Sequence, residues 1–211
     1  MSRPILTGLA PDPRQPGYRL IDVDRGRFAS LPAESLEPLR LEVGRELAPA
    51  VLARLRELGD IEAAQRAALR ALARRAHARF DLGRRLVKKQ HPPAAVDVAL
   101  RRLEARGLID DRRFAEQYAA LRAARGRGPI RLVKDLIAQG VDRRIAEEAV
   151  RSALAEEGID PRLEARAVAA KRARQLADLP VAVRKRRLAA YLARRGYAGP
   201  GMVQLVEEVC E

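Results

Sequence analysis

The 211 residues contain very few of the side chains from which enzyme sites are usually built. A single cysteine, Cys210, excludes a disulfide framework and any site held by several thiolates. The two histidines, His77 and His91, have no carboxylate or Cys at metal-ligand spacing around them, and no H-E-x-x-H is present. Only Ser2, Thr7, Ser30 and Ser35 precede Ser152 among serines and threonines, and none neighbours a histidine, so no nucleophile and base are paired. Gly126-Arg127-Gly128-Pro129 is glycine-rich but lacks the Lys-Ser/Thr of a phosphate loop. With no Trp, three Phe and four Tyr, there is too little aromatic surface for a base-stacking platform. Every apolar run is cut by Arg or Glu well before the roughly 18 residues that span a bilayer, and Met1 to Leu6 form no signal-peptide h-region. These absences predict a non-enzymatic, cytoplasmic protein without cofactor, metal or membrane partner, and we read it as a monomer.

Positive charge is what the chain has in excess: 42 Lys and Arg against 28 Asp and Glu, a net +14. Of the 42, 37 are Arg beside abundant Ala, as a GC-rich coding sequence also produces, so placement is more informative than the total. Residues 1–60 are neutral, with nine residues of each sign. Residues 61–110, 111–160 and 161–211 carry +7, +1 and +6. Arg84, Arg85, Lys88 and Lys89 gather in the first basic region, and Arg184, Lys185, Arg186 and Arg187 in the last, with Arg125 and Arg127 between them. Each run taken alone is also what a solvated helix face looks like. Their recurrence on equivalent helices favours one extended basic surface for a long, periodic polyanion.

The first 60 residues predict a β-hairpin, with Tyr18 to Val23 alternating, a turn at Asp24-Arg25-Gly26, and Arg27 to Leu31 returning. A mobile Pro11 to Pro16 lead, a short strand at Leu41-Glu42-Val43 and a helix from Pro49 stopped by Gly59 complete that segment. Too few apolar residues stand there for an independent core. From Ile61 the pattern is helical, and Gly107-Leu108-Ile109-Asp110 returns fifty residues later as Gly158-Ile159-Asp160. At each junction the glycine suits a helix end, the isoleucine turns inward and the aspartate caps the next helix. The fold class expected is mainly α, with tandem three-helix, helix-turn-helix-like units at 61–110, 111–160 and 161–211 in an elongated, curved array behind a small N-terminal β-hairpin segment (1–60). Leu86, Leu136 and Leu192 occupy equivalent places, four residues before the turn residues Gln90, Gly140 and Gly196.

Gln139-Gly140-Val141-Asp142 has helix-turn-helix spacing, which makes a DNA-binding protein acting in transcription the alternative function. The would-be recognition helix exposes Glu147 and Glu148 among Arg143, Arg144 and Arg151, and those carboxylates would repel phosphates. Asp110-Asp111 could suggest paired catalytic carboxylates, but both fall where an N-cap and a first-turn anion belong.

The stretch Gly107-Leu108-Ile109-Asp110-Asp111-Arg112-Arg113-Phe114-Ala115, the turn Arg125-Gly126-Arg127-Gly128-Pro129 and Leu136 to Gly140 together resemble the bacterial RecX family over about residues 61–211. The resemblance implies a modulator of the RecA recombinase that lies in the groove of the RecA filament on DNA and suppresses its ATPase and strand exchange. It also implies cytoplasmic location, negative regulation of recombination, and a link to DNA repair and the SOS response. Partners would be the RecA filament and single- or double-stranded DNA, bound without sequence preference and sensitively to salt. Departures are His77 and Phe80, where the family often has a polar turn, and Gln90-His91-Pro92-Pro93, which lacks the usual glycine.

Overall fold

The Asp24-Arg25 dipeptide carries positive φ at both positions, 49° and 62°, the backbone of a two-residue I′ hairpin turn. In the computed structural model, which describes residues 3–211, that turn joins β2 (Tyr18–Val23) to β3 (Gly26–Pro32). Ahead of the Pro11 to Pro16 lead stands an unexpected third strand, β1 (Leu6–Pro11), giving an antiparallel sheet of order β1-β2-β3 with the lead as the β1–β2 connection. Asp12 orders the β1–β2 connection, accepting the Arg14 N–H at 2.9 Å and the Ser30 hydroxyl at 2.5 Å. Those two bonds, the Ser30 one foremost, hold its carboxyl below the usual carboxylate range. No strand forms at Leu41 to Val43, and Ile5 instead makes an isolated bridge to Glu46. A core does exist here: Leu6, Ile21 and Leu31 from the sheet, Leu36 from α1 (Ala33–Leu36), Leu47, and Leu55 and Leu58 from α2 (Pro49–Leu72) are all buried together.

α2 runs through Gly59 and across residues 60 and 61 for 24 residues. An interior glycine costs a helix about 1 kcal/mol. Leu55 and Leu58 before it, and Ile61, Ala64 and Ala68 after it, are anchored in core on both sides, which outweighs that cost. Glu62, itself buried, ties the region together by accepting from the Tyr18 hydroxyl and from Arg102 of α4 (Pro93–Ala105), both at 3.1 Å.

Two compact units divide the chain within α3 (Arg79–Lys88): residues 1–75 with 82–108, and residues 76–81 with 109–211. In the first, α2 and α4 pack together, and Leu82, Leu86, Val96, Leu100 and Leu103 are buried. The second contains two successive three-helix sets. These are α5 (Asp111–Ala123), α6 (Pro129–Ala138) and α7 (Arg143–Glu156), then α8 (Pro161–Arg174), α9 (Val181–Arg195) and α10 (Met202–Cys210). Asp110, Asp142 and Asp160 each cap the following helix by accepting a backbone N–H two or three residues on.

The same stacking device occurs twice in the second unit. Gly140, at φ 87°, closes α6, and Phe80 lies so close that a Cβ there would fall 2.3 Å from its side chain. Gly196, at φ 88°, closes α9, and the backbone of Arg131 occupies the equivalent place, with Gly128 also packed against Gly196. The start of one middle helix thus abuts the turn that ends the next. Gln90, the residue at the equivalent turn of the first unit, takes the same left-handed conformation at φ 68° without being a glycine.

Candidate nucleic-acid interface

Leu82 and Leu86, one turn apart on α3, are buried, and this turns Arg84, Arg85 and Lys88 outward. Lys89 follows just past the helix end and is exposed as well, so the four basic residues expected on this helix all reach solvent.

The matching run on α9 behaves differently, because four consecutive helical residues advance about 100° each and cannot share one face. Arg184 turns inward and donates to the Cys210 carbonyl, closing the end of α10, and its Nε is buried without an acceptor. Lys185 and Arg186 flank an apolar groove of about 380 Å³ lined by Tyr197, Met202 and Val206. Arg186 and Arg187 are exposed. The structure therefore separates Arg184 from the basic set and gives it a packing role.

Arg125 and Arg127 lie in the turn between α5 and α6, where side chains distant in sequence converge. Asp135 of α6 accepts from Arg127, from Arg131 at 2.8 Å and from the Tyr118 hydroxyl at 3.3 Å. The Arg122 guanidinium stands over the Tyr118 ring, 5.1 Å from its centroid. From the far end of α9, Arg195 donates to the Gly126 carbonyl at 3.0 Å and lies 5.1 Å from the Tyr191 ring centroid, while its own carbonyl accepts the Gly128 N–H at 2.8 Å. Arg122, Arg125, Arg127, Arg131, Arg194 and Arg195 line one open cavity of about 350 Å³. Four of these six were not among the sequence-predicted residues. Arg122 is one helical turn from Arg125, but Arg194 and Arg195 arrive only because Gly196 lets α9 end against α6.

The helix-turn-helix surface of α7 is electrostatically occupied. Glu147 pairs with Arg143 at 3.4 Å and Glu148 with Arg112 at 2.9 Å, so the carboxylates that face outward take up nearby cations. The Asp110-Asp111 pair is divided between two helix starts: Asp110 caps α5, and Asp111 accepts the Arg79 N–H of α3 at 2.7 Å. His77 does have a carboxylate one turn away, contrary to the sequence reading. Its Nδ1 lies 3.4 Å from Asp81 Oδ2, and both residues are buried. Among the described residues no group of three or more His, Cys, Asp or Glu is arranged to hold a metal ion, and no helix is long and apolar enough to cross a membrane.

Residues 110–150 match the second three-helix domain of RecX, and residues 164–199 match the third. The regulatory protein RecX of Halorhodospira halophila is 38% identical over 138 residues, which cover 64% of this chain and 81% of that protein. The regulatory protein RecX of Pseudomonas syringae pv. tomato is 34% identical over 136 residues, covering 64% and 84%. In fold, the chain is similar over 98% of its length to a crystal structure of a regulatory protein RecX, 98% of which is covered, with a TM-score of 0.71 at 20% identity. RecX from Lactobacillus salivarius matches over 71% of this chain and 94% of its own, with a TM-score of 0.53 at 20% identity. With relatives 38% and 34% identical and covered over 81% and 84% of their own length, this chain belongs to the RecX family.

Proposed function

We propose that this protein is a non-enzymatic regulator that binds the RecA filament on DNA and lowers its ATPase and strand-exchange activity, restraining recombination, DNA repair and the SOS response from the cytoplasm as a monomer. Family membership supports the RecA partner. The convergence of six arginines on one open cavity is the observation that supports contact with DNA. The exposed cations on and just after α3 (Arg84, Arg85, Lys88, Lys89), the half-buried Lys185 and exposed Arg186 and Arg187 of α9, and Arg125 and Arg127 supply filament or phosphate contacts. Such contacts position the protein on the polymer without reading sequence, and they weaken as salt rises. The paired carboxylates of α7 count against the transcription reading.

The test is to titrate the protein into RecA hydrolysing ATP on excess single-stranded DNA. The rate should fall at substoichiometric protein, and the folded double variants Arg84→Glu/Lys88→Glu and Arg186→Glu/Arg187→Glu should shift the curve to higher concentration. Arg184 is left intact because of its bond to α10. An unchanged ATPase rate at excess protein overturns the RecA reading, and two unchanged variant curves overturn the role of those helices.

A further inference from the structure

We infer that the cavity between the α5–α6 turn and the end of α9 is a phosphate-binding site, built to hold phosphate groups of a nucleic-acid strand. This deepens the DNA-contact part of the proposed function and does not depend on RecA. Six guanidinium groups line the cavity, and one nearby carboxylate, Asp135, is shared by Arg127 and Arg131. Glu164 lines a neighbouring depression that shares Arg125, Gly126 and Arg195 with this cavity, and counting both carboxylates still leaves four positive charges in excess.

The arginines fall into two kinds. Arg195 is fixed by the Gly126 carbonyl, Arg127 and Arg131 by Asp135, and Arg122 by the Tyr118 ring. These form a preorganised wall. Arg125 and Arg194 are exposed at the same cavity. Folding gains nothing from assembling so many like charges, which repel one another, whereas a multiply charged anion with several acceptor oxygens converts the repulsion into binding. Guanidinium groups converging from a loop and three helices suit the tetrahedral array of phosphate oxygens better than a planar carboxylate, which one guanidinium already satisfies in bidentate fashion. The cavity is open to solvent, as a continuous strand requires.

The experiment uses the full chain without RecA and the variant Arg125→Ala/Arg194→Ala, whose side chains make none of the fixed contacts named above. The probes are a dye-labelled oligo-dT strand followed by anisotropy, with inorganic tripolyphosphate, ATP and polyglutamate as competitors. The double variant should bind oligo-dT at least about tenfold more weakly, with a salt slope shallower by about 1.4 for two lost phosphate contacts. Its melting temperature should be unchanged or higher, which separates a ligand role from a packing role. Tripolyphosphate should displace the strand. If tripolyphosphate and ATP bind and lose affinity in the variant while oligo-dT does not, the phosphate site stands and its source is a nucleotide rather than a strand, which overturns the strand assignment. If the substitutions affect neither phosphate probe, or if only polyglutamate competes, the site itself is overturned. Either failure leaves inhibition of RecA to be judged separately by the ATPase titration.

Discussion

Replacing Gly196 by alanine should damage the second unit far more than the same change at Gly158, although both glycines have positive φ, 88° and 62°. A side chain in the left-handed region costs about 1–2 kcal/mol at either site. At Gly158 nothing lies within 4 Å of the added Cβ, so the cost ends there. At Gly196 the new atom would fall 2.3 Å from the backbone nitrogen and Cβ of Arg131, against a helix start that cannot yield as a flexible side chain could. Overpacking of this sort adds about 1–3 kcal/mol. Moving α6 away to relieve it breaks the Gly128 N–H bond to the Arg195 carbonyl, worth about 1 kcal/mol. The sum is about 3–6 kcal/mol for Gly196→Ala and about 1–2 kcal/mol for Gly158→Ala, against a typical total stability of about 5–15 kcal/mol. Urea denaturation of both variants, followed by far-ultraviolet circular dichroism, measures the difference. Equal midpoints would refute the claim that the α9 turn and the α6 start are held in direct backbone contact, and with it the geometry that brings Arg194 and Arg195 to the cavity.

Two further perturbations test the packing around single polar groups. Burial, and next the negative charge of Glu164, push the Tyr197 phenol up to about 12. The unfolded chain releases that proton near pH 10, so the neutral phenol's contribution is complete below pH 10 and is lost as pH rises from there towards 12. Stability-versus-pH curves should therefore fall less steeply over that window in Tyr197→Phe than in the unsubstituted protein, and parallel curves would refute the assignment. Glu62→Ala should cost about 2–3 kcal/mol, since it leaves the Tyr18 hydroxyl and Arg102 without their shared acceptor in a half-buried place. Asp97→Asn, which weakens an exposed pair with Arg101, should cost less than about 0.5 kcal/mol. Urea midpoints of the two variants decide the point, and a similar loss in both would contradict the bridging role of Glu62.

The helical punctuation was legible because each junction rests on local chemistry. A glycine at positive φ, an inward-turned isoleucine and a capping aspartate can be read from three or four residues, and Gly107 to Asp110, with Ile109 buried, and Gly158 to Asp160, with Ile159 half-buried, form such junctions. The hairpin turn was legible for the same reason. β1 was hidden because Pro11 and Pro13 mark a break, whereas the strand ends at Pro11 and pairs through residues whose partners lie in β2. Gly59 was misread as a stop because its cost is local, while the burial on either side that outweighs it comes from the sheet and from α4, elements far away in sequence. The basic site divides along the same line. Charge counting singled out Arg125 and Arg127, which line the arginine cavity, but it also grouped Arg184 to Arg187 as one surface, since a linear run hides the 100° step that turns Arg184 toward Cys210. It missed Arg194 and Arg195 because their relation to Arg125 is set by two glycines, Gly128 and Gly196, in contact across nearly seventy residues. In a repeat protein the residues that form a site are chosen by the stacking contact, so the turn glycines that permit stacking are better guides to it than the charges themselves.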